Sequence, residues 1–248
     1  MGLRKAAGRI MNGPLGTASG TLVNGVLRHL GLQLVRSSPE LRSLPSYGFR
    51  TVLDIGASNG DFLRRVRPVL PEAHIHCFEP LQELFAQLRE SVEKDARAEA
   101  WNLALGDKDG TGVMHKNDGI FMSSLLPMTE KTMKAFPDAR HWTPQEVTVS
   151  TLDKWAESRK LEPPILIKMD VQGYEGQVIR GGHATIQSAQ VLLLEVSFVE
   201  LYAGQCLFDD LYDLVRELGF RLVGMTYPLC DRDSGRALQT DALFARGV

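Results

Sequence analysis

"TVLDIGASNGDFLRRV", residues 51–66, runs from an apolar stretch through two glycines into an amphipathic pattern. A continuous apolar run ending at glycine is expected of a strand covered on both faces. The turn at Gly56–Gly60 follows, and Asp61 then opens a helix with its carboxylate near the positive end of the helix dipole. Pro68 must end or kink that helix. Strand, glycine turn and helix form the unit from which parallel sheets are built.

The unit recurs downstream. "HIHCFEP" (74–80) is a second strand, and "LQELFAQLRESVEK" (81–94) is a helix with Leu81, Leu84, Phe85 and Leu88 on one face. "AEAWNLALGD" (98–107) is a third strand closing at a turn. "GTGVMHK" (110–116) is a short strand, and the stretch 117–145 shows no clean period, as expected of a lid or binding loop. "EVTVSTLDKWAES" (146–158) is a strand leading into a short helix capped by Ser150 or Thr151. "PILIKMDVQG" (164–173) and "VLLLEVSF" (191–198) are buried strands, separated by helical turns broken at Gly181 and Gly182. "LFDDLYDLVRELGF" (207–220) is an amphipathic helix stopped by Gly219. The segments 220–229 and 237–247, joined by the polar turn "DRDSGR", form an antiparallel hairpin with one antiparallel edge strand. The whole predicts a doubly wound, mostly parallel α/β sheet with helices on both faces.

Upstream, residues 1–45 are a basic, weakly helical extension, with Leu22, Val23, Val26, Leu27 and Leu30 on one face; the main domain spans 46–248. Seven Lys or Arg against one acid give residues 1–50 a charge of +6 and leave −8 for the rest. Such a leader suits a membrane surface, an acidic partner or the chain's own acidic body. The net charge of −2 gives no general affinity for nucleic acid. No apolar run is long enough to span a bilayer, and no signal sequence forms. Cys77, Cys206 and Cys230 are odd in number and scattered, which points to a reducing, cytoplasmic setting. A homodimer is compatible with the sequence and not specified by it.

Open α/β sheets bind ligands at the carboxyl ends of their strands. A dinucleotide fingerprint would be G-x-G-x-x-G, but its second glycine is replaced here by Ser58. Asp54 at the exit of the first strand would repel a pyrophosphate and attract a cationic cofactor. S-adenosylmethionine, with an amino group and a sulfonium, is such a cofactor. Glu79, ending the second strand, is placed for both ribose hydroxyls. A bland alternative is that Asp54 caps the turn and Glu79 caps the next helix.

At these residues the chain resembles the FkbM-type S-adenosylmethionine-dependent methyltransferases. The resemblance lies in "VLDIGASNGDF" (52–62), "FEP" (78–80), "NLALGD" (102–107), "SSL" (123–125), "IKMDVQGYEGQVIRGG" (167–182), "LLLEV" (192–196) and "QTDALFAR" (239–246). It spans roughly residues 50–247, with one departure: Gln172 stands where the family usually has Glu. It implies a class I methyltransferase, Rossmann-like fold with seven strands, the last antiparallel. It also implies methyl transfer to oxygen on a sugar, polyketide or similar hydroxylated small molecule.

Candidate cofactor contacts are Asp54, Gly56, Ala57, Asn59, Gly60, Glu79, Pro80, Asn102 and Ala104. Methyl transfer requires a base for the acceptor hydroxyl. Asp170 is the first candidate, with Lys168 on the same strand face. Glu195, a carboxylate inside a buried strand, and His141, in the irregular segment, are the others. Ser123, Ser124, Glu175 and Trp142 are expected to meet the acceptor. No spacing demands a metal, although Asp170 and Glu195 can offer oxygen ligands if magnesium takes part. Two other functions fit less of the pattern: a nicotinamide-dependent oxidoreductase, and a non-catalytic relative that binds the cofactor without turnover.

Overall fold

The structure is a computed structural model, and it describes residues 41, 44–117, 122–135, 141–231 and 234–247. The helical leader lies outside the described residues. The compact unit runs Pro39–Val248, and Leu41 and Leu44 are already buried in its core, a few residues before the boundary placed at 46.

After a 3₁₀ turn at Leu44–Tyr47, β1 (Thr51–Ile55), α1 (Asp61–Val66), β2 (His74–Phe78), α2 (Gln82–Val92) and β3 (Ala98–Trp101) follow the alternation read from the sequence. Then come β4 (Ala104–Leu105), β5 (Gly110–Asn117), α3 (Glu130–Ala135), β6 (Trp142–Ser150) and α4 (Leu152–Ala156). The second half holds β7 (Ile165–Met169), α5 (Glu175–Gly181), α6 (His183–Ser188), β8 (Val191–Ser197), α7 (Phe208–Glu217), β9 (Arg221–Met225), β10 (Leu229–Cys230) and β11 (Ala237–Ala245). Thr151 is the α4 cap, accepting from the Lys154 amide at 3.2 Å. Pro68 follows the end of α1, as its missing N–H requires.

The main sheet is ordered β10-β11-β8-β7-β1-β2-β3, with β9 also paired to β11. Strands β1, β2, β3, β7 and β8 are parallel, and β11 is antiparallel to β8, β9 and β10. Seven strands were expected; the two-residue β10 makes an eighth. The antiparallel strand is also interior rather than at the edge. Ala242, Leu243, Phe244 and Ala245 are all buried, so β11 is covered on both faces, whereas alternate residues of β9 are exposed. Side-chain alternation divides the core between the two faces. Leu53, Ile55, Ile167 and Leu194 pack with α4–α7, while Val52, Ile75, Leu166 and Leu193 pack with α1 and α2.

The stretch 98–150 departs from the sequence reading. "AEAWNLALGD" is not one strand. Asn102 donates through Nδ2 to the carbonyls of Glu79 and Pro80, and the chain turns there. Ala104–Leu105 then joins a second sheet, β4-β6-β5. Strands β5 and β6 pair antiparallel from Gly110↔Val149 to Asn117↔Trp142, forming an arm in place of a plain lid loop. The arm is pinned back by bridges His115↔Ser124 and Met128↔Tyr202.

A candidate active site at the carboxyl edge of the sheet

The turn after β1 is a consequence of close packing. Gly56 has φ +77, and a Cβ there would lie 1.9 Å from the Asp170 carbonyl oxygen. Only glycine lets the turn after β1 lie against the exit of β7. Gly60, at φ +84, opens α1 and packs on Leu88 and Ser91 of α2. A cavity of about 380 Å³ opens beyond this edge, within the usual range of small-molecule sites. Its wall includes Gly56, Ser58, Glu79, Pro80, Ala104 and Asp170.

Four of the turn's five backbone N–H groups are already spent. Those of Gly56 and Ala57 bond the Phe78 carbonyl, that of Gly60 bonds Ala57, and that of Ser58 bonds Glu79 Oε2 at 2.9 Å. A phosphate cradle needs such donors free. This turn instead presents acceptors. Glu79 is 5% exposed, and its other oxygen, Oε1, accepts from the Leu81 amide at 2.8 Å. Each oxygen keeps a lone pair, and burial pushes the carboxyl up to about 7 against the pull of these two amides. Ser58 lines the same cavity, and its Oγ is buried without a hydrogen-bond partner among the described residues. A nucleoside with a free ribose diol fits this arrangement: Glu79 would take the hydroxyls and Ser58 would gain a partner.

Several expected cofactor contacts are supports instead. Asp54 is fully buried and does not line the cavity; its carboxylate is 3.1 Å from Lys168 Nζ, its partner across the β1–β7 register. Burial raises the Asp54 pKa, and Lys168 opposes the rise. Ala57 is buried in the core beneath the turn. Asn59 bonds Arg64, and Asn102 braces the Glu79–Pro80 backbone.

Of the residues expected to act on an acceptor, Asp170 lines the cavity with its side chain 39% exposed. Lys168 donates to the Gly56 carbonyl at 2.9 Å and sits nearer Asp54 than Asp170, whose Oδ2 is 3.8 Å away. Burial alone would lower the Lys168 pKa, but Asp54 and Asp170 outweigh it and hold the lysine charged. Lys168 is therefore a fixed cation beneath the turn rather than a proton carrier. Glu175 is a buried first-turn acid, accepting from the Val171 and Gly173 amides, and burial pushes it up to about 7. Glu195 accepts from Gln172 and Gln239 at 2.9 and 2.7 Å and does not line the cavity. Its pKa is raised by burial and by the neighbouring carboxylates.

Ser123 lines the cavity and accepts from the Asn117 amide. Ser124 is buried and donates to the Gln172 carbonyl at 2.6 Å. His141 is exposed and lines neither this cavity nor its neighbour, so the base role expected of it loses its geometry. Trp142 lines the neighbouring cavity of about 200 Å³, which shares Asn117 with the main one. Its ring meets His115 edge-on at 4.5 Å.

Sequence reasoning missed Tyr202, Gln239 and the structural role of Gln172. In the sequence Gln172 is only a departure from the family pattern, yet its amide nitrogen donates to Asp170 Oδ1 at 2.8 Å and Glu195 Oε2 at 2.9 Å. That placement does not fit magnesium, since an N–H donor lies between the two carboxylates where a cation would. No group of three metal-ligating side chains occurs among the described residues.

The comparisons with known proteins agree with the motif reading. The model of the methyltransferase FkbM domain family matches residues 54–222. The chain is 31% identical over 170 residues to the 2-O-methyltransferase NoeI of Sinorhizobium fredii, covering 66% of this chain and 70% of that protein. Among solved structures it is similar to the methyltransferase FkbM of Methylobacillus flagellatus KT, at 14% identity and a TM-score of 0.48. That match covers 79% of this chain and 44% of the other, so the chain spans less than half of that protein's length. It is also similar to magnesium protoporphyrin IX methyltransferase of Synechocystis, at 10% identity and a TM-score of 0.45, covering 84% of this chain and 78% of the other.

Proposed function

Because the chain belongs to the FkbM methyltransferase family, we propose that it is an S-adenosylmethionine-dependent O-methyltransferase acting on a hydroxyl of a small, sugar-like acceptor. One observation carries the proposal: a single cavity has Glu79 and Ser58 on one wall and the half-exposed Asp170 carboxylate on another. Transfer to oxygen is supported by the relative named as a 2-O-methyltransferase. A sugar-like acceptor is supported by the Trp142–His115 aromatic pair and Asn117 beside the cleft, a surface suited to a ring with polar edges. A cytoplasmic setting rests on the three free cysteines.

The cofactor supplies a methyl group already activated on sulfur. The protein's residues orient and deprotonate. Glu79 and Ser58 would hold the nucleoside, and Gly56 allows the turn to pack on β7 so that cofactor and base would share one edge. Asp170 would accept the acceptor hydroxyl's proton through Oδ2 as that oxygen takes the methyl group. Lys168 stays protonated beneath and steadies the carboxylate.

The test is calorimetric titration with S-adenosylmethionine and, in parallel, NADH, followed by methyl transfer to a panel of methyl glycosides read by mass spectrometry. Binding of the first ligand only, with a one-methyl mass gain, is expected. Binding of NADH alone would overturn the assignment. Cofactor binding without any methylated product would move the protein to the non-catalytic reading.

A further inference from the structure

We propose that Gln172 is the positioning residue of the site: its side-chain amide, seated between the Asp170 and Glu195 carboxylates and anchored on the Tyr202 hydroxyl, holds Asp170 so that Oδ2 alone faces the acceptor. The inference rests on Asp170 being the base.

Gln172 is held in an unfavourable conformation. It has φ +54, and the only other non-glycine residue with positive φ among the described residues is Ser58, which lines the same cavity. Such a conformation costs about 1–3 kcal/mol and persists only where the surroundings enforce it. Four hydrogen bonds enforce it here. Nε2 donates to Asp170 Oδ1 at 2.8 Å and to Glu195 Oε2 at 2.9 Å. Oε1 accepts from the Tyr202 hydroxyl at 2.7 Å, and the backbone carbonyl accepts from Ser124 Oγ at 2.6 Å. The two carboxylates fix the amide's orientation, since they accept from Nε2 and leave Oε1 to the Tyr202 hydroxyl, which also lies 3.2 Å from the Met122 carbonyl. Glu195 is anchored in turn by Gln239 of β11 at 2.7 Å.

The groups facing this cluster are Glu175 from α5, Asp241 from β11, Lys168 from β7 and Tyr202, so acids outnumber the one cation. Burial and the neighbouring carboxylates already raise the Glu195 pKa, and a donor between Glu195 and Asp170 offsets part of their repulsion. An amide with two N–H bonds does this without adding charge. It occupies Asp170 Oδ1 and leaves Oδ2, which has no other hydrogen bond among the described residues, for the acceptor. Glu at 172 would supply no donor and would make three facing carboxylates, an arrangement that calls for a cation.

The test follows the Asp170 carboxyl by carbon NMR in protein labelled at Asp Cγ, with its signal identified by its loss in D170N. Removing the donor in Q172M should raise the Asp170 titration by about one pH unit. Q172E should raise it as well, and added magnesium should reverse the rise in Q172E only. Should Q172M fail to fold, Y202F removes the anchor on Oε1, together with the hydroxyl's contact to the Met122 carbonyl, and should give a smaller rise. With an acceptor from the glycoside panel, Q172M should lose about 100-fold in kcat with little change in cofactor Kd. A folded Q172M or Y202F whose Asp170 titrates as in the wild type overturns the proposal. Failure of the base assignment is separable: D170N would then keep wild-type turnover, whatever the Gln172 variants do.

Discussion

Gly56 and Glu79 show how single residues set the site. At Gly56→Ala the new methyl group would meet the Asp170 carbonyl and the backbone would keep φ +77, so two penalties act at once. The variant should lose about 2 kcal/mol or more of stability and most of its cofactor affinity, checked by thermal melting and calorimetry. Gly60→Ala meets only side-chain atoms at 3.2 Å and beyond, and should cost stability through its φ of +84 while sparing more of the affinity. Both glycines and Glu79 were legible in the sequence because glycine at a strand exit and an acid at the next one are local signals. The role of Asp54 was not. Its partner Lys168 comes from β7, and nothing near residue 54 in the sequence announces a cation beneath the turn. Tyr202 and Gln239 were hidden for the same reason, and so was the bridge that Gln172 makes from nearby Asp170 to distant Glu195 and Tyr202.

At the scale of elements, the buried parallel strands were the easiest to read because each is a continuous apolar run. The β5–β6 arm was the hardest. Of the nine residues of β6, only Val147 and Val149 are buried, so alternation is visible only at its last residues. Pro144 within it further disguises the strand. The arm carries Trp142 to the side cavity, Met114 and Lys116 to the main one and Asn117 to both, and under the proposed function Trp142 is its contact with the acceptor. Trp142→Ala should raise the acceptor KM about tenfold and leave cofactor Kd unchanged; a matching loss in both would remove the arm from acceptor binding. By contrast, Thr151→Ala removes a helix cap at the base of the arm and should cost about 1 kcal/mol of stability without touching either affinity.

Across the whole molecule, the sheet order brings acids from distant segments to one edge, and their burial links stability to pH. Glu79 and Glu175 stand at about 7 in the folded protein against an ordinary value of 4.5, and Glu195 is raised in the same direction. A raised carboxyl contributes stability that is fully present below its unfolded pKa and lost as pH rises through the folded one. These groups therefore make the free protein more stable near pH ~6 than near pH ~8. The cofactor acts oppositely if its ribose hydroxyls donate to ionised Glu79, since binding then favours the form that dominates above about 7. Affinity should rise with pH, and the stabilisation gained from a fixed excess of S-adenosylmethionine should rise with it. Melting curves near pH ~6 and pH ~8, with and without the cofactor, should show a larger gain at the higher pH. In Glu79→Gln the difference should vanish, because the amide cannot ionise, while Glu175 and Glu195 continue to lower the melting temperature of the free protein as pH rises. A gain that is equal at both pH values in the wild type would take Glu79 out of the ribose site and leave it as the strut between the glycine turn and α2.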